Sequence, residues 1–322
     1  MMTRPSVWLV AAACAVTTSP LALSRLAAQS TQTTAPDTTF QVARDAVIDI
    51  TVRTGRLVVR GEDRGAAELR TNGARYELRS SKVGVTLGVR EASDQRRGNR
   101  QGANRRSDDA DIELIVPRAV RLVIHGTSSD VSVANVSGDV EVSIVSGDVE
   151  TRALGGRAII ETMTGDVRMT EGVGDVRVTT ASGDVSAAGV RGSIEVAATS
   201  GSVTLSGERL GRVEVELVSG DIDVTGALAD DARLQLATHS GDVILRLPES
   251  AAGQLDVTTY SGSVRGGTMT MMPPVARSFN GEPRDSGARR YEFGGGGNAR
   301  IIVSTFSGDL SILRGARPRR DE

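Results

Sequence analysis

From about residue 138 onward, apolar and polar positions alternate with a period of two. Val176, Val178, Thr180 and Ser182 fall on one side of their segment, and Arg177, Thr179 and Ala181 on the other. Val213, Val215, Leu217 and Ser219 oppose Glu214, Glu216 and Val218 in the same way. Alternation with Val and Ile at the apolar positions predicts β-strands. No window of comparable length carries a helical period. Glycine interrupts the alternation at 138, 147, 156, 165, 174, 183, 192 and 201, and then at 211, 220, 241 and 262. A residue without a side chain, recurring at this interval, supplies tight corners between short strands.

The text around the glycines repeats as well: Ser137-Gly138-Asp139-Val140, Ser146-Gly147-Asp148-Val149, Thr164-Gly165-Asp166-Val167, Ser182-Gly183-Asp184-Val185, and so on to Ser307-Gly308-Asp309-Leu310. Ser or Thr precedes the glycine at every second corner, so the structural unit consists of two unlike halves. This predicts an all-β chain, a single-stranded β-solenoid of the parallel β-helix type with about 18–21 residues per coil. Successive coils should hydrogen-bond at a spacing of about 4.8 Å. The solenoid is expected over residues 40–315, broken by a polar arginine-rich loop at 91–110 and an insertion at 266–298. Val47 to Gly61 reads as an early, degenerate coil, continued by strands around Tyr76, Val83 to Val89 and Ile112 to Val116. The segment before Val47 and the last coil, Arg300 to Leu313, are the expected end caps.

Composition narrows the function. With 38 basic against 40 acidic residues, the chain is not a dedicated nucleic-acid binder, whose domain would be strongly basic. One cysteine and two histidines, His125 and His239, leave no material for a disulfide scaffold, a thiolate zinc site or an imidazole triad. Residues 1–28 read as a secretory signal peptide: Arg4, an apolar run from Val7 to Val16, and the small-residue end Leu26-Ala27-Ala28. Cleavage there would remove Arg4 and Arg25 and move the net charge from -2 to -4. The competing reading is a lipoprotein anchored through Cys14. Either way the chain is expected to be exported, to the periplasm, the outer cell surface or the medium. Residues 29–39 read as a Thr/Gln linker and 316–322 as a charged tail. No later run is long enough for a membrane span.

In a stacked coil, equivalent residues form columns. Ser146, Thr164, Ser182, Ser200, Ser219, Ser240, Ser261 and Ser307 form a hydroxyl column, assigned by the alternation to the inside, where hydroxyls would satisfy the corner backbone. Asp148, Asp166 and Asp184 begin an aspartate column whose carboxylates must splay into water, raise their pKa values or bind a cation. Solvated turn aspartates are the first expectation and a calcium-stabilised solenoid the alternative. An outward column contains Val145, Met163, Ala181 and Thr199, followed by Val218, His239, Tyr260 and Phe306. This last run is the expected partner or self-association surface. The mixed column Glu141, Ile159, Arg177, Glu195 and Glu214 is the place to look for a polysaccharide-cleaving site. No catalytic residue or cofactor is otherwise indicated.

The segment Ile112-Glu113-Leu114-Ile115-Val116-Pro117, followed by a valine-rich strand and the ladder of Ser-Gly-Asp-Val units, resembles the bacterial putative-adhesin family over roughly Val42 to Arg314. The resemblance implies an exported β-solenoid and assigns no site residue. The expected function is therefore a non-enzymatic envelope protein that binds a protein or a glycan of the envelope, or itself. A role in envelope-stress sensing is a further alternative, by family analogy.

Overall fold

A computed structural model of the protein describes residues 29–33, 37–43, 46–71, 75–80, 84–90, 110–266, 270–271 and 288–315. The leader with Cys14, the arginine-rich loop at 91–109, most of the insertion and the tail lie outside these residues. Every regular element among the described residues is a strand, and all belong to one hydrogen-bonded sheet wound around one core.

The central coils follow the glycine spacing. Val140–Ser146, Ala158–Thr164, Val173–Ser182, Arg191–Ser200 and Val203–Ser219 stack in parallel along the long side. Val149–Arg152, Val167–Thr170 and Val185–Ala188 stack along a shorter side. The register places Val140, Ala158, Val176, Ile194, Val213 and Leu234 one above the next, so a coil spans 18 residues and later 19 and 21. The added residues are absorbed as register shifts at the corners, such as that between Gly192 and Ser193, which leaves the strands in phase. Inward columns of Val, Ile and Leu fill the coil, with Leu122, Val142 and Ile160 fully buried.

One column faces the other way from its expected direction. In Val173–Ser182, residues 176, 178 and 180 are buried, but Ala181 and Ser182 are both exposed. The period of two ends one step before the serine because the chain turns into the corner there. The inner position before the corner is instead occupied by Ile144, Thr162, Thr180, Ala198, Leu217, Thr238 and Thr305, all buried. The Thr238 hydroxyl donates to the carbonyls of Gly220 and Ser240, both at 3.3 Å. The buried Oγ1 atoms of Thr180 and Thr305 have no hydrogen-bond partner. A buried hydroxyl without a partner carries its full desolvation cost. Thr180→Val, which keeps the branched shape, is therefore predicted to stabilise the protein by about 1 kcal/mol, read as a higher urea midpoint. A lowered midpoint would show that the hydroxyl is satisfied after all.

At both ends the spatial order departs from the chain order. The first coil, Val47–Glu62, lies between Arg121–Ala134 on one side and Gly84–Arg90 with Ala110–Pro117 on the other. Arg75–Ser80 and Ala66–Thr71 then add antiparallel strands, so the strand around Tyr76 is a return and not a further coil. Residues expected to be linker form the outermost strands, Gln29–Thr33 and Asp37–Gln41. At the other end, Ala299–Ser307 inserts between Ile222–Ser240 and Gly253–Ser261. Leu310–Arg314 likewise inserts between Val243–Leu247 and Val264–Gly266. Ala288–Phe293 pairs antiparallel with Gly253–Ser261 and is followed by Thr270–Met271. The last coil in sequence is thus an interior coil, and antiparallel strands cover the first coil and the long side of the far end, where Val264–Gly266 remains a parallel outermost strand of the short side among the described residues. Reversing the strand direction ends the parallel stacking pattern, which limits the template that an open solenoid edge would offer to another chain.

Candidate functional site

The long side presents its outward columns to solvent. Val145, Met163, Ala181, Thr199, Val218, His239, Phe306 and Tyr260 are all exposed, as the alternation requires. Insertion of Ala299–Ser307 puts Phe306 between His239 and Tyr260, an order the chain does not have. The His239 and Phe306 rings stack with centroids 4.7 Å apart and planes at 7°. Phe306 and Tyr260 stack at 4.8 Å and 3°. These separations match the spacing between neighbouring strands, so each ring stands on its own coil and meets the next in register. Tyr260 closes the ladder at 82% exposure. Beside the ladder runs an open groove of about 950 Å³, floored by small residues such as Ala197, Ala237 and Ser304 and walled by Val218, His239, Phe306 and Tyr260. The four residues expected to form a partner surface are thus brought together on one wall.

The opposite edge of the same face carries a feature that sequence reasoning missed. The register places Arg212, Arg233 and Arg300 on three successive coils, with Ser193 before them and Gln254 after. They line a second, smaller depression with Glu214, Gln235 and Ile302. Arg300 donates to Asp256 at 2.8 Å, and Arg290 donates to the other oxygen of that carboxylate at 2.6 Å. Burial pushes the Asp256 pKa up, but hydrogen bonds from the two guanidiniums outweigh it and hold the group below its ordinary value. The register from Arg233 to Arg300 spans the insertion, and no short-range repeat marks it.

The aspartates form a ladder of a different kind. One oxygen of Asp148 accepts the backbone N–H of Asp166 at 3.0 Å, Asp166 that of Asp184 at 2.9 Å, and Asp184 that of Ser202 at 2.8 Å. The pattern resumes from Asp221 to Asp242, from Asp242 to Asp309 and from Asp309 to Ser263. Each carboxylate therefore caps a corner amide in the next coil, and the other oxygen of Asp309 lies 3.3 Å from the Arg265 guanidinium. The backbone N–H and the hydroxyl of Ser263 together lower the pKa of Asp309. Among the described residues, no group of three or more His, Cys, Asp and Glu side chains converges as a cation cage. On the mixed column, Arg177 and Glu195 pair at 2.6 Å and Glu214 sits one coil further on. His125 lies on Arg121–Ala134, remote in sequence and coil from the ladder.

The family model described as Toastrack DUF4097 matches residues 46–313. Among solved structures, the chain is similar to a putative adhesin from Bacteroides fragilis, with 13% identity, 86% of this chain and 96% of that one covered, and a TM-score of 0.42. It is also similar to a putative cell adhesion protein from Clostridium sporogenes, with 7% identity, 86% and 98% coverage and a TM-score of 0.24. No curated protein sequence matches the chain.

Proposed function

Because the chain belongs to the Toastrack DUF4097 family through residues 46–313, we propose that it is a non-enzymatic, exported, adhesin-like protein of the cell envelope that binds a partner through the aromatic edge of its long face. The observation that carries this reading is the ladder of His239, Phe306 and Tyr260 beside the open groove. Large apolar and aromatic side chains cost solvation when left in water, and a contiguous run of them on a regular sheet is the usual signature of a contact surface. Export is supported by the leader sequence of residues 1–28. The Arg177 and Glu195 pair supports a structural role for the mixed column, since each neutralises the other.

The test is retention of purified protein by a bacterial envelope fraction. Val218 is 54% exposed and Tyr260 82% exposed. The double variant Val218→Ser and Tyr260→Ser is therefore expected to melt as the parent does while losing at least about ten-fold in retention. Equal retention by parent and variant would remove this face from consideration.

A further inference from the structure

We propose that the long face, over the coils that carry Arg212, Arg233 and Arg300, binds a linear anionic polysaccharide with about one acidic group held per coil. This deepens the partner-binding reading of the same face and rests on it.

The arginine column departs from the pattern of the coils before it. Over the four preceding coils the same column reads Asp139, Arg157, Asp175 and Ser193, with Asp139 accepting the backbone N–H of Arg157, so signs are mixed. The next three positions are then all arginine. Like charges on directly opposed strand positions destabilise a sheet. Among the described residues, no carboxylate lies within ion-pair distance of Arg212 or Arg233, and Arg300 shares Asp256 with Arg290. The two central coils offer no acid between the arginine edge and the aromatic edge, since Gln235 and Ala237 occupy one and Ile302 and Ser304 the other. The guanidiniums of Arg212 and Arg233 are therefore left without an ion-pair partner in the protein, open to an external anion.

Its position is the second observation. The coils of Arg212, Arg233 and Arg300 are those of Val218, His239 and Phe306, six residues further along each strand. A basic rail and an apolar rail, about 20 Å apart, thus flank a strip that is neutral over the Arg233 and Arg300 coils, where it holds Gln235, Ala237, Ile302 and Ser304, and carries Glu214 and Glu216 on the Arg212 coil. The protein as a whole has a formal net charge of -2. Attraction for a polyanion must then be local to this edge, since the overall field does not supply it.

The periodicity selects the class of ligand. Guanidiniums on successive coils recur at about 4.8 Å along the stacking axis. A polymer whose anionic groups recur along one side at close to this interval would keep step with the arginine column when it lies along that axis. An extended peptide presents same-side chains about every 6.6 Å and loses register with the column by the third coil. Hydroxyls of Ser304 and Thr258 on the strip suit a hydroxyl-rich ligand.

The experiment measures binding of the full protein to heparin, polygalacturonate, neutral dextran and poly-glutamate, at low and raised salt. Heparin or polygalacturonate is expected to bind, more weakly as salt rises through counterion release, and dextran is not. The double variant Arg212→Gln and Arg233→Gln, at two exposed and unpaired positions, should melt as the parent and bind the acidic glycan on the order of ten-fold more weakly. Glycan binding unchanged in the variant, or absent in the parent, would overturn the proposal. Preferential, arginine-dependent binding of poly-glutamate would also overturn it, in favour of an acidic protein segment. If the proposal fails while envelope retention still depends on Val218 and Tyr260, only the ligand class falls. If retention is independent of those two residues, the partner-binding reading of the face falls with it.

Discussion

Replacing Gly165 by alanine is expected to destabilise the protein by roughly 3–5 kcal/mol. Gly165 has φ +131, a backbone region that side-chain-bearing residues rarely occupy. A Cβ there would lie 2.0 Å from the carbonyl oxygen of Gly147 and 2.7 Å from its carbon. Both obstacles are main chain of the preceding coil, so no rotamer change relieves them. Moving the backbone would disturb the hydrogen bond from the Gly147 amide to the Thr164 carbonyl, and through it the next corner. A solenoid couples each repeat to its neighbours, so the damage should centre on the coils around Gly147 and Gly183. Urea unfolding measures the cost, and amide exchange locates it. Gly65→Ala is the control, because a Cβ there meets nothing within 4 Å. It should change stability by less than about 0.5 kcal/mol. Equal midpoints for the two variants would refute the account of the corner.

The second large effect is expected at Ile160, which is fully buried in the middle of the stack. Ile160→Ala removes three carbons from a site enclosed by the facing columns, and coils tied above and below cannot close over the space. A loss of about 3–4 kcal/mol is expected. Ile159, one residue earlier, faces outward and is only partly covered. Ile159→Ala should cost less than about 1 kcal/mol. The pair tests the period-two assignment directly, because the same substitution at adjacent positions gives opposite outcomes only if the strand alternates between core and solvent. Comparable losses at both positions would mean that the outward face of this strand is covered.

Much of the architecture was legible in local text. The glycine interval and the alternation of Val176, Val178 and Thr180 with Arg177 and Thr179 define strands, corners, coil length and the outward direction of Val218, His239, Tyr260 and Phe306. These features depend on interactions repeated within one coil or between adjacent coils, so the same short pattern recurs and can be read. The corner itself was the first limit. Alternation carries Ser182 to the inside on paper, whereas the chain has already begun to turn and leaves both Ala181 and Ser182 in solvent. The aspartate column was visible too, but not its use, because capping the amide of the next coil depends on the height of one corner above another.

The ends were decided by tertiary structure. Nothing near Ala299–Ser307 marks it as an insertion between two earlier coils, since its text resembles any other unit. Parallel β-coils with the same inward pattern are interchangeable as neighbours, so local sequence cannot rank the possible orders of stacking. The choice depends on long connections and on antiparallel strands that cover the first coil and the long side of the far end. That choice creates both features of the candidate face: Phe306 stacked between His239 and Tyr260, and Arg300 next to Arg233. The sequence by itself determined the solenoid, its coil and its outward columns, because these follow from a repeating local pattern. Only the tertiary structure decided which coils are neighbours, because backbone pairing between similar strands is blind to their distance along the chain.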